Sequence, residues 1–181
     1  MATKKLIKNS DTSLYFWAAA RIALGITFLW AFLDKLFGLG FSTCRDAKTD
    51  AISMMCEQSW IKGGSPTEGF LQYATKGPFA ELYQSLAGNP LIDVLFMAGL
   101  GLIGSALILG VGIRIATISG SLLMLMMWSS MLLPENNPFV DDHIIYIIVL
   151  LGILSANKNQ KWGLRDFWVK QSIVKRFPVI E

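Results

Sequence analysis

Histidine is almost missing from this chain: His143 is the one example among 181 residues, and cysteine is limited to Cys44 and Cys56. A bis-histidine haem or a four-ligand iron–sulfur cluster cannot be assembled from so few side chains, so neither is expected. A metal site built on one histidine and nearby carboxylates is poorly specified, and no metal is expected either. The C-x-x-C spacing of a redox-active pair is absent, and Cys44 and Cys56 read instead as a structural disulfide. No phosphate-binding glycine loop, serine triad or nucleic-acid motif is visible, so nucleic acid is not an expected partner. Charge is scarce as well, at 16% of residues where soluble domains carry about 25%.

What the chain has in abundance is apolar length. Hydrophobic residues make up 53% of it, and the mean hydropathy is +0.48. These values describe an all-α integral membrane protein of one domain, 1–181, in contact with the lipid bilayer. Six Trp and eleven Phe match the aromatic enrichment of membrane interfaces.

Four spans are expected, at about 14–38, 90–109, 113–133 and 138–156, forming a four-transmembrane-helix bundle. The first apolar stretch is too long for a signal-peptide core. The last, Ile144 to Ala156, is too short to cross alone, since a span needs roughly 20 residues. A helix starting at Pro138 reaches far enough and carries Asp141, Asp142 and His143 in its first turn.

The first two spans are separated by a long loop, 39–89. Ser65, Pro66 and Glu68 form a capping box, which predicts a short helix over about 66–75. Phe79, Leu82, Tyr83 and Leu86 mark a second amphipathic piece. In the second and third spans, Ala98, Gly101 and Ser105, and Gly112, Ala116 and Gly120, form small-residue faces that permit close helix approach. Met124, Met126, Met127 and Met131 read as packing.

The tail, 157–181, alternates Trp162, Phe167, Trp168 and Phe177 with Lys158, Lys161, Arg165, Lys170, Lys175 and Arg176. That pattern fits a segment lying on an anionic membrane face. With four spans, Lys4, Lys5, Lys8, Arg114 and the tail share one side, which the positive-inside rule assigns to the cytoplasm. The expected location is the plasma membrane, multi-pass, with both termini cytoplasmic and the long loop outside.

Two short matches point to a duplicated helical hairpin. Arg21-Ile22-Ala23 recurs as Arg114-Ile115-Ala116, and Asn89-Pro90-Leu91-Ile92-Asp93 recurs as Asn137-Pro138-Phe139-Val140-Asp141. On this register Asp34, Lys35, Asp93, Asp141, Asp142 and His143 all fall in the outer half of the bundle. Ionisable residues within a membrane protein's spans are costly and mark functional sites by default. Facing inward, they would form an outward-facing polar pocket able to exchange protons with a bound quinone. His143, Asp141, Asp142, Asp34 and Lys35 are the catalytic candidates; His143, Asp93 and Arg21 are the candidates for cofactor binding. The same residues have a structural reading. Asn89 and Asn137 can cap helices, acids in the first turn favour the helix dipole, Asp34 and Lys35 can compensate each other, and Arg21 can snorkel to the headgroups.

Several motifs resemble the DoxX family of four-helix membrane proteins. They are Arg21-Ile22-Ala23-Leu24-Gly25, Asp34-Lys35-Leu36-Phe37-Gly38 and Gly63-Gly64-Ser65-Pro66-Thr67. Gly77-Pro78-Phe79, Gly88-Asn89-Pro90 and the run Pro134-Glu135-Asn136-Asn137-Pro138-Phe139 leading to Asp141-Asp142-His143-Ile144-Ile145-Tyr146 complete the set. The likeness is closest to the DoxD-type small subunit of thiosulfate:quinone oxidoreductase and covers about 14–180. It implies a membrane subunit of a redox system passing electrons from thiosulfate, or another sulfur compound, to a quinone that is not built into the protein. It also implies a second redox subunit as partner, and a homo-oligomer is a further expected assembly. The Cys44–Cys56 segment departs from the family pattern as an insertion. The alternative function is a non-enzymatic membrane scaffold, or a small-solute carrier, associated with a redox partner.

Overall fold

The computed structural model describes residues 2–46, 48–134 and 137–181, with backbone alone for 2–11. Every regular element among these is helical. The helices are α1 (Ala2–Phe37), α2 (Glu68–Tyr73), α3 (Ala80–Gln84), α4 (Pro90–Leu109), α5 (Ile113–Ser130), α6 (Asp142–Ala156), α7 (Arg165–Trp168) and α8 (Ser172–Arg176). Three stretches, Thr12–Phe37, Pro90–Leu109 and Ile113–Ser130, are long and apolar enough to cross a membrane. The chain is a membrane protein by this criterion.

α1 packs on α4 and α6, and α5 packs on α4 and α6, so the four long helices close a ring. Its centre is filled by Leu24 and Phe28 of α1, Leu100, Ile103 and Leu107 of α4, Ile113, Ala116 and Met124 of α5, and Leu150 and Ile153 of α6. Those positions recur every three or four residues, which places them on one face of each helix. The opposite faces are equally apolar: Phe16, Leu102, Leu122 and Ile148 are exposed. A helix apolar on all sides suits a lipid surround, not water.

Lipid provides no hydrophobic force between helices, so association relies on close packing. Glycines provide it around the ring. A Cβ added to Gly104 of α4 would lie 2.6 Å from the Leu29 backbone nitrogen, and one on Gly25 of α1 would lie 2.9 Å from the Ile108 nitrogen. A side chain on Gly152 of α6 would overlap the Trp17 ring, and Gly120 of α5 lies under Leu150. Gly120 and buried Ala116 belong to the predicted small-residue face of α5. On α4 the tightest contact is at Gly104, where Ala98, Gly101 and Ser105 were the expected face.

Two helix ends differ from expectation. α5 stops at Ser130, short of 133, because the Ser130 carbonyl accepts the Lys76 amide and the chain leaves the helix there. α6 starts at Asp142, not Pro138. Asn137 turns its side-chain oxygen to the Phe139 and Val140 amides, making a local turn, and Asp141 is the residue that caps the helix. At 1.5 Å per residue α6 is roughly 22 Å long, below the ~30 Å of a bilayer core. The two repeat halves are therefore out of step. Asn89 caps α4, and Asp93 lies buried one turn inside it, whereas Asn137 caps no helix and Asp141 is itself the cap. Arg21 is buried and Arg114 exposed.

The helices of the long loop are shorter than predicted: the first starts at Glu68 with Thr67, not Ser65, at its N-cap, and of the capping box the bond from the Glu68 amide to the Ser65 hydroxyl is present. The tail folds back on the bundle. The Leu164 amide donates to the Leu109 carbonyl and the Arg114 amide to Glu181, while Arg165 pairs with the Glu181 carboxylate.

Gly104→Leu should lower the thermal stability of the detergent-solubilised protein by about 1–3 kcal/mol, the usual effect of overpacking. Gly69 of α2 has no heavy atom within 4 Å of an added Cβ, so Gly69→Ala should be neutral or stabilising by up to ~1 kcal/mol in the same melt.

Candidate functional site

Asp34 lies in the last turn of α1 and is 1% exposed. Its Oδ1 accepts the Phe41 amide at 3.0 Å; its Oδ2 accepts the Ser42 amide at 2.9 Å, the Ser42 hydroxyl at 2.8 Å and the Thr43 amide at 3.1 Å. The carboxylate thus gathers the turn that follows α1. Lys35, next along the helix, donates from Nζ to the Ser42 hydroxyl at 3.1 Å. The two residues are joined through Ser42, with no direct ion pair between them among the described residues.

Just beyond this turn, Cys44 and Cys56 form the disulfide that their occurrence suggested. Gly38 (φ +66°) makes room for it, since a Cβ there would overlap the Cys44 sulfur. In the loop so closed, the Arg45 guanidinium bonds Asp50 at 2.6 Å and holds its carboxyl below the usual range. The Thr49 and Lys48 amides lower that of Asp46.

Asp93 performs the same task at the far end of the loop. Its Oδ1 accepts the Ser65 hydroxyl at 2.9 Å, the Thr67 hydroxyl at 2.6 Å and the Thr67 amide at 3.2 Å. Asp141 caps α6 through the His143 and Ile144 amides, and its Oδ2 lies 2.7 Å from His143 Nδ1. In the neutral imidazole that contact puts the proton on Nδ1 and leaves Nε2 as an acceptor. Both side chains are about one-fifth exposed. Asp142 is exposed in the first turn of α6.

The candidates do not bond to one another as one cluster. No hydrogen bond or ion pair joins Asp34, Lys35 or Asp93 to Asp141, Asp142 or His143 among the described residues. Asp34 and Asp93 are committed to the loop, and Asp141 with His143 forms a separate pair.

Arg21 sits at the opposite end of the bundle, 1% exposed. It does not snorkel. Its guanidinium donates to the Leu107 and Ile108 carbonyls at the end of α4 and to the Lys161 and Trp162 carbonyls of the tail, the last at 2.9 Å. Carbonyls in the last turn of a helix have no intrahelical partner, and a cation is favoured there. Gln160 adds a bond to the Gly110 carbonyl, and Trp162 stacks obliquely on Tyr15.

A cavity of about 490 Å³ lies between α2 and α3 on one side and α4 and α5 on the other. Phe70, Leu71, Leu86, Phe96, Leu123 and Met127 form much of its wall, and among the described residues that line it Lys35 is the one Lys, Arg, Asp, Glu or His. None of Asp34, Asp93, Asp141, Asp142 or His143 lines it. Leu95, Leu122 and Met126 line it and are also exposed, so it opens on the outer faces of α4 and α5. Tyr83 and Ser130 were not among the sequence candidates. The amphipathic spacing of Tyr83 and Leu86 was visible, but which surface it covers depends on how the loop folds back.

These features define an all-helical membrane protein with a loop-roofed apolar cavity. No family model, no curated protein and no solved structure matches the chain.

Asp34→Ala leaves three loop amides without their acceptor. Amide exchange at Phe41–Thr43 should quicken by about tenfold or more, while α4 and α5 keep their protection. Arg21→Lys should loosen the tail, because one ammonium cannot bridge both carbonyl pairs. Limited proteolysis should then cut within 160–181 faster than in the parent, with the bundle intact.

Proposed function

We propose that the chain is the membrane subunit of a redox system and that a quinone enters the cavity beneath the long loop. The cavity carries this reading. Its volume of about 490 Å³ falls within the ~300–1,000 Å³ of small-molecule sites, its wall is apolar, and its mouth faces where lipid would lie. The DoxX resemblance supports quinone as the occupant and thiosulfate, or another sulfur compound, as electron donor. Two thiosulfates joined by a new S–S bond give tetrathionate and two electrons; a quinone takes up both electrons with two protons. A second subunit brings the electrons, and the Asp141–His143 pair is the candidate proton carrier. In this reading the turn 137–141 and α6 complete a fourth crossing, and both termini are cytoplasmic in the plasma membrane, as the Lys/Arg distribution implies.

The non-enzymatic scaffold is the second reading. It is favoured by the commitment of Asp34 and Asp93 to anchoring the loop, which leaves that loop as an ordered surface for a partner. The scattered positions of the acids count against a solute path.

The test uses Gly99, which lines the cavity and whose added Cβ meets only Leu123, at 4.0 Å. Gly99→Leu should fill the cavity without disturbing the fold. The parent should co-purify with quinone, or bind a decyl-tailed benzoquinone by calorimetry, and the variant should do neither while melting normally. A parent that holds no quinone by either measure overturns the reading.

A further inference from the structure

We infer that the cavity recognises its occupant at one point, through the Lys35 ammonium bonded to an acceptor oxygen on the head of an otherwise apolar molecule. This deepens the quinone reading and rests on it for the choice of ligand.

The polar groups around the cavity lead to that point by elimination. The Thr67 hydroxyl donates to Asp93 at 2.6 Å, Ser119 to the Ile115 carbonyl at 2.7 Å and Ser130 to the Met127 carbonyl at 2.7 Å. Ser129 donates to the Met126 carbonyl at 3.0 Å, so the 2.6 Å contact between Tyr83 and Ser129 uses the tyrosine proton. A hydroxyl has one proton to give, and each of these has given it. Lys35 differs. Of its three N–H groups one meets Ser42, and among the described residues no other bond is made.

The lysine is also held in place. Ser42, which accepts from Nζ, donates its own proton to Asp34, and Asp34 is fixed by three backbone amides. An ammonium with free N–H groups beside an apolar wall gains from any acceptor that enters. It repels a cationic head. The apolar body then extends along Phe96, Leu123 and Met127 toward the mouth at Leu95 and Leu122. A quinone carbonyl and a fatty-acid carboxylate both have the required oxygen, and the experiment separates them.

Binding of decyl-tailed benzoquinone, laurate and dodecylamine to the full chain is measured in an uncharged detergent, for the parent, Lys35→Met and Lys35→Arg. Met keeps most of the stem and removes the charge. The benzoquinone should bind the parent and lose about tenfold or more in Lys35→Met, with recovery in Lys35→Arg. Laurate should follow the same order if it binds, and dodecylamine should bind Lys35→Met better than the parent. Unchanged benzoquinone affinity in a normally melting Lys35→Met overturns the inference and leaves the quinone reading standing. Laurate bound through Lys35, with no benzoquinone bound, upholds the inference and removes quinone. Neither ligand binding the parent removes both. Should Lys35→Met melt early, Lys35→Gln, which also removes the charge, takes its place; unchanged benzoquinone affinity there overturns the inference equally.

Discussion

A buried carboxylate at the end of α1 is the constraint on which the loop end of this molecule depends. Asp34 lies where the chain leaves the first membrane-length helix and has to turn back over the bundle. Amides in an irregular turn need acceptors, and water is scarce at a membrane edge. One side chain satisfies three of them and a hydroxyl besides. The disulfide follows immediately, and Asp93 fixes the returning chain at Ser65 and Thr67. Between these ties the loop becomes a roof. The cavity beneath it, and the position of Lys35 at its edge, are consequences of that anchoring.

The other end of the bundle follows the same logic with the charge reversed. Arg21 gathers carbonyls, as Asp34 gathers amides, and so joins the α4 terminus to the tail. Ionisable residues inside a membrane protein are expected to be functional because they are costly to bury. Here three of them are stabilised by irregular backbone that would otherwise lack partners. Of the sequence candidates, Lys35, Asp142 and the Asp141–His143 pair are not used to anchor the loop or the tail.

Much of this was legible in local patterns. The three long helices, the Asn89 cap, the bond from the Glu68 amide to Ser65 and the cysteine pairing depend on neighbours within a few residues, or on apolar length alone. The start of α6 was misread because Pro138 suits a first helical turn. The competing Asn137 turn and the Asp141 cap are equally local, and nothing in composition ranks them. Gly25 and Gly104 looked like ordinary glycines of two apolar helices, since small residues occur on several faces and only the crossing point selects one.

The sequence by itself determined that this is a helical membrane protein with a stapled long loop and few ionisable groups, because hydropathy, helix length and capping act over short distances. Only the tertiary structure decided what those groups do. A carboxylate or guanidinium bonds whatever backbone the fold brings to it: Asp34 meets the turn that follows its own helix, whereas Asp93 meets Thr67, 26 positions away, and Arg21 meets Trp162, 141 positions away. Long-range meetings of that kind leave no periodic trace in a sequence. They tie Asp93 to the loop and Arg21 to the tail, and Lys35 is left on the wall of an apolar cavity.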